Sequence, residues 1–213
     1  MKLILASSSP RRRELIKNLG LDCDFISPHF DEREPMKSES PENYVIRMSL
    51  MKSLSVASRI DEDALVVGSD TVVVSQSNFY LKPANAEIAS SMLKSLNNRS
   101  HEVYTGICLI SLNFKIVITD FESTIVTMRD YSKEEIFQYI ESGEYVDKAG
   151  SYAIQSKIFN PVQKISGCYN SVVGFPVCKI AKYFDQLNIK IQIKQLSDFQ
   201  KCTNCKFIWG IEC

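Results

Sequence analysis

The sequence predicts an α/β protein. Short apolar, β-branched runs alternate along the chain with segments whose apolar residues recur at helical spacing. Ser-Pro and Ser-x-x-Glu starts stand before the helical segments, and glycine closes two of them.

Lys2–Ala6 reads as a short buried strand. Ser9 suits an N-cap and Pro10 the first helical position, so a helix is expected from Arg11 to about Leu19, stopped by Gly20. Cys23–Ile26 reads as a second strand, and Pro28–Ser40 as a polar loop carrying Asp31, Glu32, Arg33 and Glu34. Ser40-Pro41 opens a second helix, with Tyr44, Val45, Met48 and Met51 on its apolar face, running to about Arg59. Ala64–Gly68 is a β-rich run ending at Ser69-Asp70, continued as strand over Thr71–Ser75. Gln76-Ser77-Asn78 is a turn, and a helix is expected over about Ala84–Leu96.

Val103–Leu112 and Phe114–Met128 alternate as two strands meeting near Asn113. Ser132–Glu135 is a capping box for a helix over about Lys133–Ser142, ending at Gly143. Short strands are expected around Val162–Ile165 and Tyr169–Val173, and a last helix over Val177–Leu187. The chain reads as one domain over 1–196 with a tail over 197–213.

Composition narrows the function classes. The chain has 213 residues, 45% hydrophobic and 23% charged, which excludes a disordered chain. Lys plus Arg equals Asp plus Glu at 25 each, so there is no basic surplus for gripping nucleic-acid phosphates. No apolar run reaches the roughly 18 residues of a membrane helix, and Leu3–Ala6 is too short for a signal-peptide core. The expected setting is cytoplasmic, without a membrane. The seven scattered cysteines are expected as reduced thiols.

Phosphate-loop, dinucleotide, HExxH and GxSxG motifs are absent, and His29 and His101 are the only histidines. The stretch Ala6-Ser7-Ser8-Ser9-Pro10-Arg11-Arg12-Arg13 has the makings of an anion site. A helix N-terminus offers free N–H groups and the positive end of its dipole, serines add donors, and arginines add forked bonds to phosphate. The alternative is a capped surface helix with solvated arginines. Asp70 is a carboxylate in an otherwise buried strand, costly there unless it has partners or a chemical task. Lys52 and Lys82 are solvated charges or, joined with Arg11 and Arg12, a sink for polyphosphate charge. Asp31, Glu32 and Asp70 are oxygen donors of the kind Mg²⁺ takes alongside substrate phosphates. Asp147–Gln155 makes a tight turn into a strand whose terminal amide can match the carbonyl and imide N–H of thymine or uracil. Cys202-x-x-Cys205, with Cys213, lacks a fourth ligand for zinc.

Together these stretches resemble the Maf-like nucleoside triphosphate pyrophosphatases. The resemblance rests on Leu3–Leu15, Asp31-Glu32, Arg47–Lys52, Val67–Val72, Lys82-Pro83, Ser142–Glu144, Asp147–Gln155 and Val172–Pro176, in the family's order over about Leu3–Leu187. It implies an elongated, two-lobed, mixed-sheet α/β fold related to the inosine triphosphate pyrophosphatases, with a central cleft. It implies hydrolysis of a nucleoside triphosphate to the monophosphate and pyrophosphate. Asp70 matches the family's proton acceptor, with Glu32, Lys52 and Lys82 also catalytic. Ser7, Arg11, Arg12, Thr71 and Gln155 would bind substrate, and Asp70 and Glu32 would hold a divalent metal, Mg²⁺ or Mn²⁺. Arg11, Thr71 and Gln155 look like the branch acting on dTTP and UTP, modified pyrimidine nucleotides included. After Gln155 the chain departs from the family's usual glycines with Ser156–Pro161. The resemblance also admits a homodimer. The alternative in another class is a nucleotide-sensing regulatory module linked to arrest of cell division.

Overall fold

The computed structural model describes residues 2–30 and 32–192; the expected tail with its cysteines, and Asp31, lie outside the described residues. The protein is mixed α/β. Its strands are β1 (Lys2–Ala6), β2 (Asp24–Ile26), β3 (Ala64–Ser75), β4 (Asn78–Tyr80), β5 (Ser100–Ser111), β6 (Ile116–Met128) and β7 (Val162–Ser166). Its helices are α1 (Pro10–Asn18), α2 (Pro41–Ala57), α3 (Ala86–Leu96), α4 (Lys133–Glu141), α5 (Tyr169–Val173) and α6 (Val177–Gln186). One seven-stranded sheet runs β2-β1-β3-β5-β6-β7, with β4 hairpinned onto β3. β1 is parallel to β2 and β3, and every other pairing is antiparallel.

β3 is buried along nearly its whole length, and its two faces carry different cores. Leu65 and Val67 pack with α1 and α6, while Val73 on the same face joins a separate cluster with α3 and α4. Between these two clusters the face carries Ser69 and Thr71, so a polar seam divides it. On the opposite face Val66, Val72 and Val74 pack under α2. Period-two alternation thus sends consecutive residues of one strand into different cores.

α2 lies unusually close to the sheet because two strand positions lack a side chain. A Cβ on Gly106 would stand 2.2 Å from the Val45 carbonyl oxygen, and one on Gly68 would stand 2.2 Å from Ser53 Oγ and 2.7 Å from the Ser49 carbonyl oxygen. Gly106→Ala is therefore expected to push α2 off the sheet and destabilise the fold by about 1–3 kcal/mol. A lowered denaturant midpoint would register this.

Several expectations need correction. Tyr169–Val173 is helix α5, not a strand. Its aromatic and β-branched composition suggests a strand, but tertiary bonds override it: Cys168 N–H donates to Thr124 Oγ1, Thr105 Oγ1 donates to the Ser171 carbonyl, and Gly174 closes the helix in the left-handed region at φ 109°. Asn78–Tyr80 is a strand, where the sequence reading stops at a turn. α3 begins two residues later than expected, capped by Asn85, whose side chain accepts from Ile88 N–H. Met51 is exposed, and Lys52 takes the buried position beside it. Cys23 and Cys108 are free thiols, but Cys178 is disulfide-bonded, against the expectation of reduced thiols. Among the described residues no helix is long and apolar enough to cross a membrane.

Candidate active site

The cleft forms where β3 has an open edge. β1 pairs with β3 only as far as Ala6 opposite Gly68, and β4 pairs with β3 only from Val73, opposite Tyr80, onward. Ser69–Val72 therefore face a gap, into which β1 delivers its C-terminal end and the Ser7–Ser9 turn. A cleft of about 360 Å³ opens there, lined by residues of the β1–α1 turn, α2, β3, the 147–155 segment and the end of α5. Ligand sites at the carboxyl ends of parallel strands arise in this way, because the chain must leave the sheet there.

At the cleft floor lies a chain of alternating charges. Asp70 is 6% exposed and Lys52 5%. Lys52 Nζ stands 2.5 Å from Asp70 Oδ1 and 2.7 Å from Glu32 Oε1. Lys82 Nζ lies 3.1 Å from the same Glu32 oxygen and 2.8 Å from Asp147 Oδ1. Buried charges of this kind persist only when paired. Burial pushes the Glu32 carboxyl up, but Lys52 and Lys82 outweigh it and hold it at about 2. Burial also works against the Lys82 ammonium, and Asp147 with Glu32 raises it above its ordinary value.

A pH prediction follows from Glu32. Its pKa falls from the ordinary 4.5 to about 2 on folding, so its contribution is present above pH 4.5 and is lost as pH falls toward 2. The wild-type chain should lose its stability margin over Glu32→Gln across that window, measured as denaturant midpoints at stepped pH.

The three arginines of α1 take separate roles. Arg11 lines the cleft, its Nη2 3.4 Å from the Asp147 carbonyl oxygen. Arg12 also lines it, donating from Nε to the Gly174 carbonyl at 2.7 Å and from Nη2 to Thr71 Oγ1 at 3.1 Å. Arg13 turns back, donating to the Ser7 carbonyl and lying over the Phe25 ring. Ser9 stands at the N-cap position but makes no side-chain capping bond, and Pro10 fills the first turn. Ser7 Oγ instead accepts the Ser9 N–H. The helix N-terminus thus reaches the cleft without a side-chain cap, beside two arginines.

Part of the cleft lining is apolar. Val73, Val103, Tyr152, Ile154 and Val172 line it together with Gln155. Gln155 sits in a turn rather than at a strand end: Ala149–Ser151 is a short 3-10 turn, and Ser156 N–H donates back to the Ala153 carbonyl. Tyr152 is fixed from behind by His101, whose Nε2 is 2.8 Å from the phenolic oxygen. Burial pushes the His101 imidazole down to about 4, so it is neutral at physiological pH.

Residues 2–187 match the family model of the Maf-like proteins. The chain belongs to the Maf-like family. Among similar proteins, the dTTP/UTP pyrophosphatase of Thermoanaerobacter sp. (strain X514) is 43% identical over 92% of this chain and all of its own length. The dTTP/UTP pyrophosphatase of Clostridium perfringens (strain SM101 / Type A) is 39% identical over 90% and 100%. That of Caldanaerobacter subterraneus subsp. tengcongensis is 42% identical over 91% of each chain. A solved structure, the nucleoside-triphosphatase / dITP/XTP pyrophosphatase of Mycobacterium abscessus, aligns over 60% of this chain and 74% of its own at 15% identity. The TM-score of that alignment is 0.36.

In this Maf-like chain the expected site residues Ser7, Arg11, Arg12, Glu32, Lys52, Asp70, Thr71, Lys82 and Gln155 line the same cleft. Sequence reasoning gave no role to Asp147, which pairs with Lys82 and lends its carbonyl to Arg11. Its left-handed φ of 59° was not readable from composition. The seam beneath Thr71 was also missed: Thr71 Oγ1 is 3.0 Å from Thr105 Oγ1, and Ser69 Oγ donates to the Gly174 and Gly106 carbonyls. Among the described residues no cluster of three His, Cys, Asp or Glu side chains could hold a metal.

Proposed function

We propose that this chain hydrolyses dTTP and UTP to the monophosphate and pyrophosphate. The observation that carries the proposal is the cleft that gathers these residues around Asp70. Cationic groups and the start of a helix line it together with an amide and apolar side chains. That layout suits a triphosphate and a pyrimidine, and the relatives of matching length are dTTP/UTP pyrophosphatases.

In the proposed mechanism Arg11, Lys82 and the α1 N-terminus bind the triphosphate and stabilise charge developing on it. Lys52 pairs with Asp70 and holds its carboxylate in place. Asp70 accepts a proton from the attacking water as its oxygen bonds to the α-phosphorus. The bond from that phosphorus to the bridging oxygen breaks, and pyrophosphate leaves. Gln155 pairs with the carbonyl and imide N–H of the base. Asp70 and Glu32 flank the Lys52 ammonium and both line the cleft, two carboxylates of the kind and number that a hard cation takes beside phosphates. They are the residues that would hold Mg²⁺ or Mn²⁺, which when bound would supply electrostatic stabilisation of the phosphates. A cytoplasmic setting and a homodimer go with the same proposal.

The test is pyrophosphate release from a panel of dTTP, UTP, CTP, GTP and 7-methyl-GTP, with and without Mg²⁺. Preferential turnover of dTTP and UTP is the expected result. Preference for another base would overturn the Gln155 assignment. Tight binding with no turnover would favour the regulatory module.

A further inference from the structure

The segment after Gln155 is fixed by contacts that reach no part of the cleft lining. Tyr139 of α4 sits at their centre. Its hydroxyl accepts the Ala153 N–H at 2.9 Å, and its ring stacks on Phe159 at 4.3 Å between centroids, tilted by 20°. Both side chains are buried. Ser156 joins two turns: its N–H donates to the Ala153 carbonyl, its Oγ accepts the Phe159 N–H, and its carbonyl accepts the Asn160 N–H. Arg129 closes the far side, donating to the Phe159 and Asn160 carbonyls at 2.6 and 2.9 Å.

Gln155 is thus the exposed middle of a turn whose two ends are anchored to the same tyrosine. The Ala153 end is held by a hydrogen bond and the Phe159 end by a ring stack. Gln155 is exposed, so the backbone that carries it is placed by these anchors rather than by packing of its own side chain. A hydrogen-bond reader of a base edge discriminates only when its donor and acceptor are held in register.

From this geometry we infer that Phe159, acting through Tyr139, is a positioning residue for base selection by Gln155. The inference rests on the reading of Gln155 as the base-contacting group. It places part of the specificity in an aromatic stack that touches no substrate.

The test compares the ratio of kcat/KM for UTP to that for CTP, which is independent of the fraction of active protein. In Phe159→Leu and in Tyr139→Phe the ratio should fall roughly three- to tenfold, the scale of one lost hydrogen bond. The change should come mainly through KM for UTP. Phe159→Tyr, which keeps the ring, should retain the wild-type ratio. Combining Phe159→Leu with Tyr139→Phe should cost less than the two losses added, because both act on one turn. Gln155→Ala runs beside them. If Gln155→Ala collapses the ratio while both Phe159→Leu and Tyr139→Phe leave it unchanged, the positioning role is overturned and the Gln155 reading stands. If the wild type shows no base preference, or Gln155→Ala does not alter it, that reading fails and the inference falls with it. If Phe159→Leu does not fold, Tyr139→Phe decides, since it removes one hydroxyl and keeps the stack.

Discussion

Asp70→Asn should lower kcat for dTTP by about 10²–10⁴-fold, the range general-base catalysis contributes, while nucleotide binding remains measurable. The substitution keeps the size of the side chain and removes its charge and proton-accepting capacity. Asp70 is 6% exposed and sits opposite Gly106 in the middle of β3, so its position is set by the sheet and not by a mobile loop. The remaining cationic groups still receive the triphosphate, so loss of turnover should appear without loss of affinity. Undiminished turnover in Asp70→Asn would remove Asp70 from the chemistry.

Lys52→Met should be the second large effect, and chiefly on stability. Lys52 is buried between Asp70 and Glu32, and its removal leaves Asp70 as an uncompensated buried charge. Breaking a buried pair in this way typically costs about 3–5 kcal/mol, far more than the pair contributes over a neutral isosteric replacement. The double variant Lys52→Met/Asp70→Asn should therefore recover much of the stability and none of the activity. Chemical denaturation of the two singles and the double closes the cycle. Additive losses in the double variant would show that the two side chains do not act as a pair.

The sequence carried the fold where local chemistry and tertiary packing agree. The Ser132–Glu135 capping box forms as expected, with reciprocal bonds at both ends. The expected starts of β1, α4 and α6 are also met, because caps, prolines and apolar period act within a few residues. It failed at Tyr169–Val173, whose helix depends on Thr105 and Thr124, far away in the chain. Met51 was misplaced for a related reason. An apolar stripe favours Met51 inward, yet the buried Asp70 draws in the lysine, an energy that no helical period encodes.

The candidate site was legible as residue types and order, because strand–turn–helix with serines and arginines is a local pattern suited to an anion. Its connectivity was not legible. Nothing in the sequence says that Lys82 bridges Glu32 and Asp147, or that Arg12 spends its donors on Gly174 and Thr71. Those contacts depend on where β1 stops pairing with β3, a property of the assembled sheet.

The most direct test of the proposed chemistry is hydrolysis of dTTP in ¹⁸O-labelled water, with the products weighed by mass spectrometry. Attack at the α-phosphorus predicts many pyrophosphates released per chain and the label in the thymidine monophosphate. Label in pyrophosphate or orthophosphate, or no turnover with nucleotide bound, would contradict it.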